Sequence, residues 1–359
     1  MRKAEKAHQG FVHGVTISDD GLSVLTCGAD GKVNRFPLLY ESYDSSNFEV
    51  DELDNRDTLL KVSNVYRSSD EEPFHSIDHQ RKSSYFATAS STVQVWDSER
   101  SAPVSTFEWG VDSVRCVRWN PTETNIICGT SVDRSVMLYD IRTKTSLRKM
   151  TMLAKSNVVA WNPMEPFNFT LGSEDSNCYT FDMRKLESAL NVHKDFVSAV
   201  MDIDYASTGK EFVAGSYDCT LRLFPVGSGK SREIYYTSRM TKIFKVLFSK
   251  DSKWVLSGSD DTSVRLWKSE ADRPVTILHN RQKKTRQYDK ALIQKFQSVP
   301  ELRKIKNHKH VPKKIFQAKK LGKIMSDASN RKRKRQKEHS RQRVLNEPER
   351  KKHIVQIDN

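Results

Sequence analysis

Short runs of alternating apolar and polar residues recur along the chain, and each run follows a tight-turn sequence. The clearest is residues 258–267, GSDDTSVRLW, in which Val264 and Leu266 alternate with Ser263 and Arg265. A period of two is typical of a strand buried on one face, and the Gly, Ser and Asp before it are turn residues. The same cassette recurs at residues 215–224 and 172–181 and, more loosely, at 131–139, 90–96 and 28–36.

Each cassette closes on a large aromatic residue, and these aromatics are regularly spaced. The intervals are 60, 43, 42, 43 and 43 residues, between Phe36, Trp96, Tyr139, Phe181, Phe224 and Trp267. A repeat of this length is the one expected of four-stranded propeller blades. The sequence therefore predicts an all-β WD-repeat β-propeller with six visible repeats. Since such propellers commonly have seven blades, a seventh blade missing at the N-terminus is a second expectation.

An acidic residue stands six positions before the aromatic in five of the six cassettes: Asp30, Asp133, Asp175, Asp218 and Asp261. An Asp carboxylate can accept backbone N–H groups within a turn, so we expect these residues to be structural. His8 precedes Asp30 in the first repeat, and His193 precedes Asp218 at a similar but slightly longer spacing. A His–Asp pair could belong to a catalytic site, but in WD repeats it makes a structural hydrogen bond, and we favour that interpretation.

The interval of 60 residues contains an acidic stretch, residues 41–58, with seven acids and one Arg, which we expect to be a disordered surface loop. The five cysteines fall in separate repeats without the close spacing of a zinc site, so we expect reduced thiols and no metal. No apolar run could cross a bilayer and no hydrophobic signal follows Met1. We therefore expect an intracellular protein without a membrane partner.

Charge divides the chain into a propeller, residues 1–272, and a basic helical domain, residues 273–359. Residues 271–359 hold 27 Lys and Arg against 8 Asp and Glu, or +19, whereas the rest holds 33 against 37, or −4. One helix, with an apolar stripe at Tyr288, Leu292 and Phe296, should end before Pro300, and a second should run from about residue 313 to about 341. The second carries a stripe at Ile315, Ala318, Leu321, Met325 and Ala328, and we expect both stripes to dock against a neighbour.

A basic tail points to a polyanionic partner, and nucleic acid is the first candidate. The run of residues 331–337, RKRKRQK, contains no apolar residue and suits an RNA-backbone contact, a nuclear localisation signal, or both. The cations that we expect to bind RNA are Lys313, Lys314, Lys319, Lys320, Lys323, Arg331, Lys332, Arg333, Lys334 and Arg335.

Several stretches resemble the eukaryotic WD-repeat proteins that end in a Sof-type domain. They are residues 161–170 (WNPMEPFNFT), 181–184 (FDMR), 193–200 (HKDFVSAV), 308–313 (HKHVPK) and 349–355 (ERKKHIV). This resemblance implies a nucleolar component of the small-subunit processome, which associates with the U-three snoRNA particle and other processome proteins and matures 18S ribosomal RNA. Its expected partners are therefore pre-rRNA and snoRNA within a large ribonucleoprotein.

Scaffolding is the function we expect, since no constellation of nucleophile or metal ligands supports an enzyme. No catalytic residue, cofactor or small-molecule substrate is predicted. The alternative is a substrate receptor of a cullin-RING ubiquitin ligase, because some relatives of this family are similar to such receptors. Their W-D-x-R-like endings match Asp140 with Arg142 and Asp182 with Arg184, although Tyr139 and Phe181 replace the Trp. An Asp and an Arg after a strand can also be an ordinary surface ion pair.

Overall fold

Six antiparallel sheets follow one another along the chain, and each begins a new blade. The computed structural model describes residues 8–38, 62–68, 72–108, 112–143, 145–274, 277–340 and 348–358. The predicted acidic loop at 41–58 lies outside these residues. The six sheets and the WD repeats confirm a β-propeller fold with a helical C-terminal region.

The strands of blades 1 to 3 are β1 Val12–Ile17, β2 Ser23–Gly28, β3 Lys32–Pro37, β4 Asn64–Arg67, β5 Ser76–His79, β6 Tyr85–Ala89, β7 Val93–Asp97, β8 Ser105–Phe107, β9 Val114–Trp119, β10 Ile126–Ser131, β11 Ser135–Asp140 and β12 Thr145–Met152. Those of blades 4 to 6 are β13 Ser156–Trp161, β14 Asn168–Ser173, β15 Asn177–Asp182, β16 Asn191–Lys194, β17 Val200–Tyr205, β18 Glu211–Ser216, β19 Leu221–Pro225, β20 Glu233–Tyr235, β21 Ile243–Phe248, β22 Trp254–Ser259 and β23 Val264–Lys268.

Each predicted cassette forms the third strand of its blade, and five of the six closing aromatics are buried, from Phe36 at 3% exposed to Trp96, Phe181 and Phe224 at 0%. In the five blades that carry the Asp, the turn before that strand has a left-handed residue directly after that Asp. This residue is Gly31 in blade 1 but a non-glycine residue elsewhere: Arg134, Ser176, Cys219 and Thr262. Because only glycine adopts this conformation without a steric cost, the Asp hydrogen bonds help to hold the other four turns.

The described chain forms two compact units, residues 1–192 with 347–359, and residues 193–346. In the first unit one apolar core joins blades 2 and 3 and includes Val95, Val117 and Tyr139. A hydrogen bond also joins these two blades: the carboxylate of Asp78 in β5 accepts the amide of Trp119 in β9 at 2.8 Å. In the second unit the core lies between blades 5 and 6 and includes Leu223, Val246 and Val255.

The C-terminal region contains three helices and one strand: α1 Asn280–Lys295, α2 Pro300–Asn307, α3 Lys313–His339 and β24 Ile354–Asp358. The ends of α1 and α3 agree with the sequence pattern, whereas α2 and β24 were not predicted. Pro300 begins α2 because proline at the first helical position loses no hydrogen bond. The domain boundary at 272/273 stays a prediction, as does a seventh blade.

Candidate nucleic-acid interface

The segment before α3 is attached to blade 5. The ammonium group of Lys309 donates to the carbonyl oxygen of Ser231. The ring of His310 stacks on that of Tyr236, with 5.6 Å between centroids and 13° between planes, and its Nδ1 is hydrogen-bonded to the tyrosine hydroxyl. The sequence HKHVPK at residues 308–313 is therefore a docking segment.

A largely buried carboxylate, with its side chain 11% exposed, fixes the first turns of α3. Asp195 accepts hydrogen bonds of 2.7 Å each from the amide and hydroxyl of Ser231 and from Nζ of Lys319. Burial alone would raise the pKa of Asp195, but the hydrogen bonds from Lys319 and Ser231 hold it below its ordinary value. One of the predicted RNA-binding cations thus has an acidic partner within the protein.

Of the predicted stripe on α3, only the first residue is buried, so the expected docking does not extend along the stripe. Ile315 is buried at 9% exposed, whereas Leu321 and Met325 are 61% and 69% exposed. At about 100° per residue, Ile315 and Lys319 lie on one side of the helix, and Leu321 and Met325 lie on another. Docking is therefore confined to the beginning of the helix.

The predicted docking of the first stripe is not found either. Tyr288 is 66% exposed, and Leu292 and Phe296 are 39% and 42% exposed. The described side chains that hold α1 are instead charged: Arg286 and Lys290 form ion pairs with Asp272 at 2.9 and 3.7 Å. No neighbour among the described residues buries the apolar face of α1.

All ten predicted RNA-binding cations lie on α3 and are exposed. Lys334 is 4.0 Å from Glu338, and Nε of Arg331 donates to the backbone oxygen of Asp327. Five consecutive cations at 331–335 point in every direction around a helix that turns about 100° per residue. Beyond its docked start, α3 is a cationic rod that phosphates can approach from several sides.

The C-terminal signature ERKKHIV leads into an added strand of blade 3. β24 pairs antiparallel with β12, with Met150 opposite Ile357 and Thr151 opposite Gln356. His353 packs on Tyr179 with 4.8 Å between ring centroids, and its Nδ1 is 3.6 Å from Asp175. The alternation of apolar and polar residues at 355–358 was the sequence signal for this strand. It was missed because the abundance of Lys and Arg led us to predict a helical domain over the whole tail.

The acidic turn residues bond to the turns that they precede. The carboxylates accept the amide two positions later at 2.9 Å for Asp133, 3.1 Å for Asp175, 3.0 Å for Asp218 and 3.3 Å for Asp261. Asp30, which also accepts the amide of Lys32, accepts the amide of Gln9 at 3.3 Å and is 2.9 Å from Nδ1 of His8. Nε2 of His8 is also hydrogen-bonded to the Thr26 hydroxyl at 2.8 Å, and the His8 and Asp30 side chains are only 1% and 8% exposed. This largely buried network therefore closes a loop onto its blade.

His193 differs from this expected arrangement. Its Nδ1 is hydrogen-bonded to the carbonyl oxygen of Ser228 at 2.7 Å, and its ring packs against Phe212 and Phe224. Burial lowers the pKa of His193 to about 4. Counted back from Asp218, the position that corresponds to His8 is occupied by Phe196. The longer spacing in this repeat therefore places His193 in a different register.

The two Asp-x-Arg sequences form the same clamp in blades 3 and 4. Nη2 of Arg142 lies 3.1 Å from Asp140 and that of Arg184 lies 2.9 Å from Asp182, and each aspartate also accepts the amide of its arginine at 2.9 Å. The arginine side chains are 71% and 61% exposed. Each clamp therefore displays a guanidinium at a fixed place after the third strand.

Within the described ranges, no cluster of three or more His, Cys, Asp or Glu side chains could hold a metal ion. No helix among these residues has the length and apolar character needed to span a bilayer.

Comparison with known proteins agrees with this architecture. Residues 269–354 match the Sof1-like domain, and residues 3–35, 101–140, 184–224 and 234–268 match the WD domain, G-beta repeat. The chain is 40% identical over 355 residues to DDB1- and CUL4-associated factor 13 of Danio rerio, which is 98% of this chain and 76% of that protein. It is 37% identical over 362 residues to Protein SOF1 of Saccharomyces cerevisiae, covering 98% and 73% of the two chains. The chain therefore belongs to the family of WD-repeat proteins that carry a C-terminal Sof1-like domain.

Proposed function

We propose that this protein is a non-enzymatic scaffold of the small-subunit processome, which acts in the maturation of 18S ribosomal RNA with the U-three snoRNA particle in the nucleolus. Membership of the Sof1-like family supports the place of action. A propeller with several loop-lined faces suits the binding of other processome proteins. A scaffold of this kind requires no catalytic residues.

One observation carries the assignment of RNA contact, namely the division of α3 into a docked start and an exposed cationic rod. Lys319 is held by Asp195, so the RNA-binding function falls mainly on the other cations, and above all on Arg331, Lys332, Arg333, Lys334 and Arg335. Phosphate contacts of this kind are independent of sequence and release counterions. The helix positions the RNA, and other components of the particle supply its sequence recognition.

Ultraviolet crosslinking in cells, followed by sequencing of the bound RNA, tests this proposal. We expect crosslinks to pre-18S and U-three RNA that fall strongly when residues 331–335 are replaced by Ala. A matched variant replaces the exposed propeller residues Lys250 and Lys253 by Ala and should retain them. Crosslinks that are equally strong in both variants would contradict the assignment to α3.

A second candidate function is that of a receptor for a cullin-RING ubiquitin ligase. It is favoured by the repeated clamps of Asp140 with Arg142 and Asp182 with Arg184, and by the name DDB1- and CUL4-associated factor 13 that several relatives carry. Pull-down of DDB1 by the wild-type chain, and its loss in the Arg142→Ala, Arg184→Ala variant, would support this function. Equal recovery of DDB1 with both proteins would show that the two Asp–Arg clamps do not bind DDB1.

A further inference from the structure

The middle of α3 presents an apolar face that no described part of the chain covers. Leu321, Ile324 and Met325 are 61%, 54% and 69% exposed, and Ala328 continues the same face. Their spacing of i, i+3, i+4 and i+7 is that of a helix that lies in an apolar groove. By contrast, residues 329–339 contain no apolar side chain.

This face is distinct from the side that docks on blade 5. With about 100° of rotation per residue, the centre of the Leu321–Ala328 face lies roughly 150° from the side of Ile315 and Lys319. The docked side is fixed by the burial of Ile315 and by the ion pair of Lys319 with Asp195. The helix can therefore remain attached to its own propeller while the opposite face takes a partner.

We infer that this face is the binding site for a protein partner whose apolar groove is rimmed by carboxylates. The charge of the helix selects the partner, because α3 carries eleven Lys and Arg against two acids, Asp327 and Glu338. Lys320 flanks the apolar residues on one side, and Lys314 lies in line with them towards the start of the helix, both outside the run 331–335 that is assigned to RNA. The inference rests on the proposed scaffolding function and adds a protein contact that is separate from the RNA contact.

Charge and shape also argue against the other occupants of such a face. A second copy of α3 would bring an equally cationic helix against this one, and like charges repel. The grooves of RNA are lined by phosphates, hydroxyls and base edges, so RNA offers no apolar groove for Leu321 and Met325. Membrane-surface helices have a large apolar face rich in Trp, Phe and Leu, whereas this face is narrow.

Cysteine accessibility provides the test. Among the five native cysteines Cys27, Cys116, Cys128 and Cys178 are buried and Cys219 is partly buried, so labelling of the parent protein sets a low background. Met325→Cys places a thiol on the apolar face, and Asn330→Cys places one on nearly the opposite side as the matched control. Each full-length protein is labelled with a maleimide, both purified and within the assembly that it forms in cells.

We expect Met325→Cys to react at least about tenfold more slowly in the assembly than in the purified protein, and to keep that protection after RNase treatment. After RNase, Asn330→Cys should react equally in both states. Equal reactivity of Met325→Cys in both states overturns the inference. So does protection that RNase removes, that appears in the purified protein with rising concentration, or that anionic phosphatidylserine vesicles reproduce.

A zero-length carbodiimide crosslinker tests the acidic rim, because it joins lysines only to carboxylates in direct contact. Crosslinks from Lys320 to Asp or Glu of another protein are expected in the assembly, and their absence overturns the proposed chemistry of the groove. The RNA content of the same assembly is measured separately. Lack of pre-18S RNA would contradict the processome function, whereas the reactivity of Met325→Cys decides the protein contact by itself.

Discussion

Arg222 and Asp218 form an ion pair inside blade 5, with 3.5 Å between Nη2 and Oδ2 and side chains that are only 1% and 3% exposed. The guanidinium also lies over the ring of Phe196, 5.0 Å from its centroid. The carboxylate that orders the turn before β19 therefore also neutralises a buried cation. Removal of either partner leaves an uncompensated charge in the blade.

Asp218→Ala should consequently lower the free energy of unfolding by about 3–5 kcal/mol, the usual cost of breaking a buried pair. The RNA affinity of the folded fraction should not change, because no RNA contact is assigned to this turn. Thermal unfolding and RNA titration measure the two effects. Asp251→Ala, at a 48% exposed aspartate of blade 6, is the matched control and should be close to neutral. An unchanged melting temperature for Asp218→Ala would contradict the structural role.

Asp195→Asn should loosen the first turns of α3. The substitution weakens the bond to Lys319 and costs about 1 kcal/mol, which corresponds to roughly fivefold faster amide exchange over residues 313–320. Because the pKa of Asp195 is lowered in the folded state, the stabilisation is present above pH 4 and is lost as the pH falls through the folded pKa. Hydrogen exchange measures both effects. Asp272→Asn, at a 76% exposed aspartate, should leave exchange in α3 unchanged.

The buried His193 should make stability depend on pH in a range above that of Asp195. Its pKa is lowered to about 4 from an ordinary 6.5, so the unfolded chain binds the proton more readily between these values. Stability is therefore complete above pH 6.5 and falls by about 1.4 kcal/mol per pH unit as the pH decreases towards 4. Melting temperatures over this range should fall less steeply in His193→Gln, which cannot be protonated. Parallel pH profiles of the two proteins would show that another group controls the transition.

The sequence was sufficient to predict the structural features that recur in each blade. It was not sufficient to predict the partner of a residue whose role depends on one tertiary contact. The repeated cassette located the third strand of all six blades, because each blade repeats the same turn and closing aromatic. The role of His193 depended on a spacing to Asp218 slightly longer than that of His8 to Asp30, and a period cannot resolve such a difference. Similarly, no sequence pattern shows that Asp195 and Lys319 meet, because they stand 124 positions apart. The composition of the tail predicted α3 correctly but concealed β24, because one short strand contributes little to an average over the whole tail.

Deletion of residues 354–359 should expose the outer edge of blade 3. β24 covers the eight-residue strand β12, and an unpaired edge of this length invites pairing with another chain. We expect a lower melting temperature and concentration-dependent aggregation, measured by light scattering. Val355→Thr is the control, since Val355 is 62% exposed and its substitution leaves the backbone pairing intact. A truncated protein that stays monomeric and melts normally would show that β24 is dispensable for the edge.

Replacement of residues 331–335 by Ala should reduce the salt dependence of RNA binding. Each phosphate contact contributes about 0.7 to the slope of log affinity against log salt on single-stranded RNA, so about six contacts give a slope near −4. Loss of three to five contacts should flatten this slope by roughly 2–3.5 and weaken binding to unrelated RNAs alike, because phosphates carry no sequence information. Fluorescence anisotropy at several salt concentrations measures the slope. Leu321→Asp combined with Met325→Asp serves as a control within the same helix, since it changes the apolar face and leaves all eleven cations in place. If both variants flatten the slope equally, the added negative charge or a loss of helix is responsible, and the assignment of RNA contact to residues 331–335 is wrong.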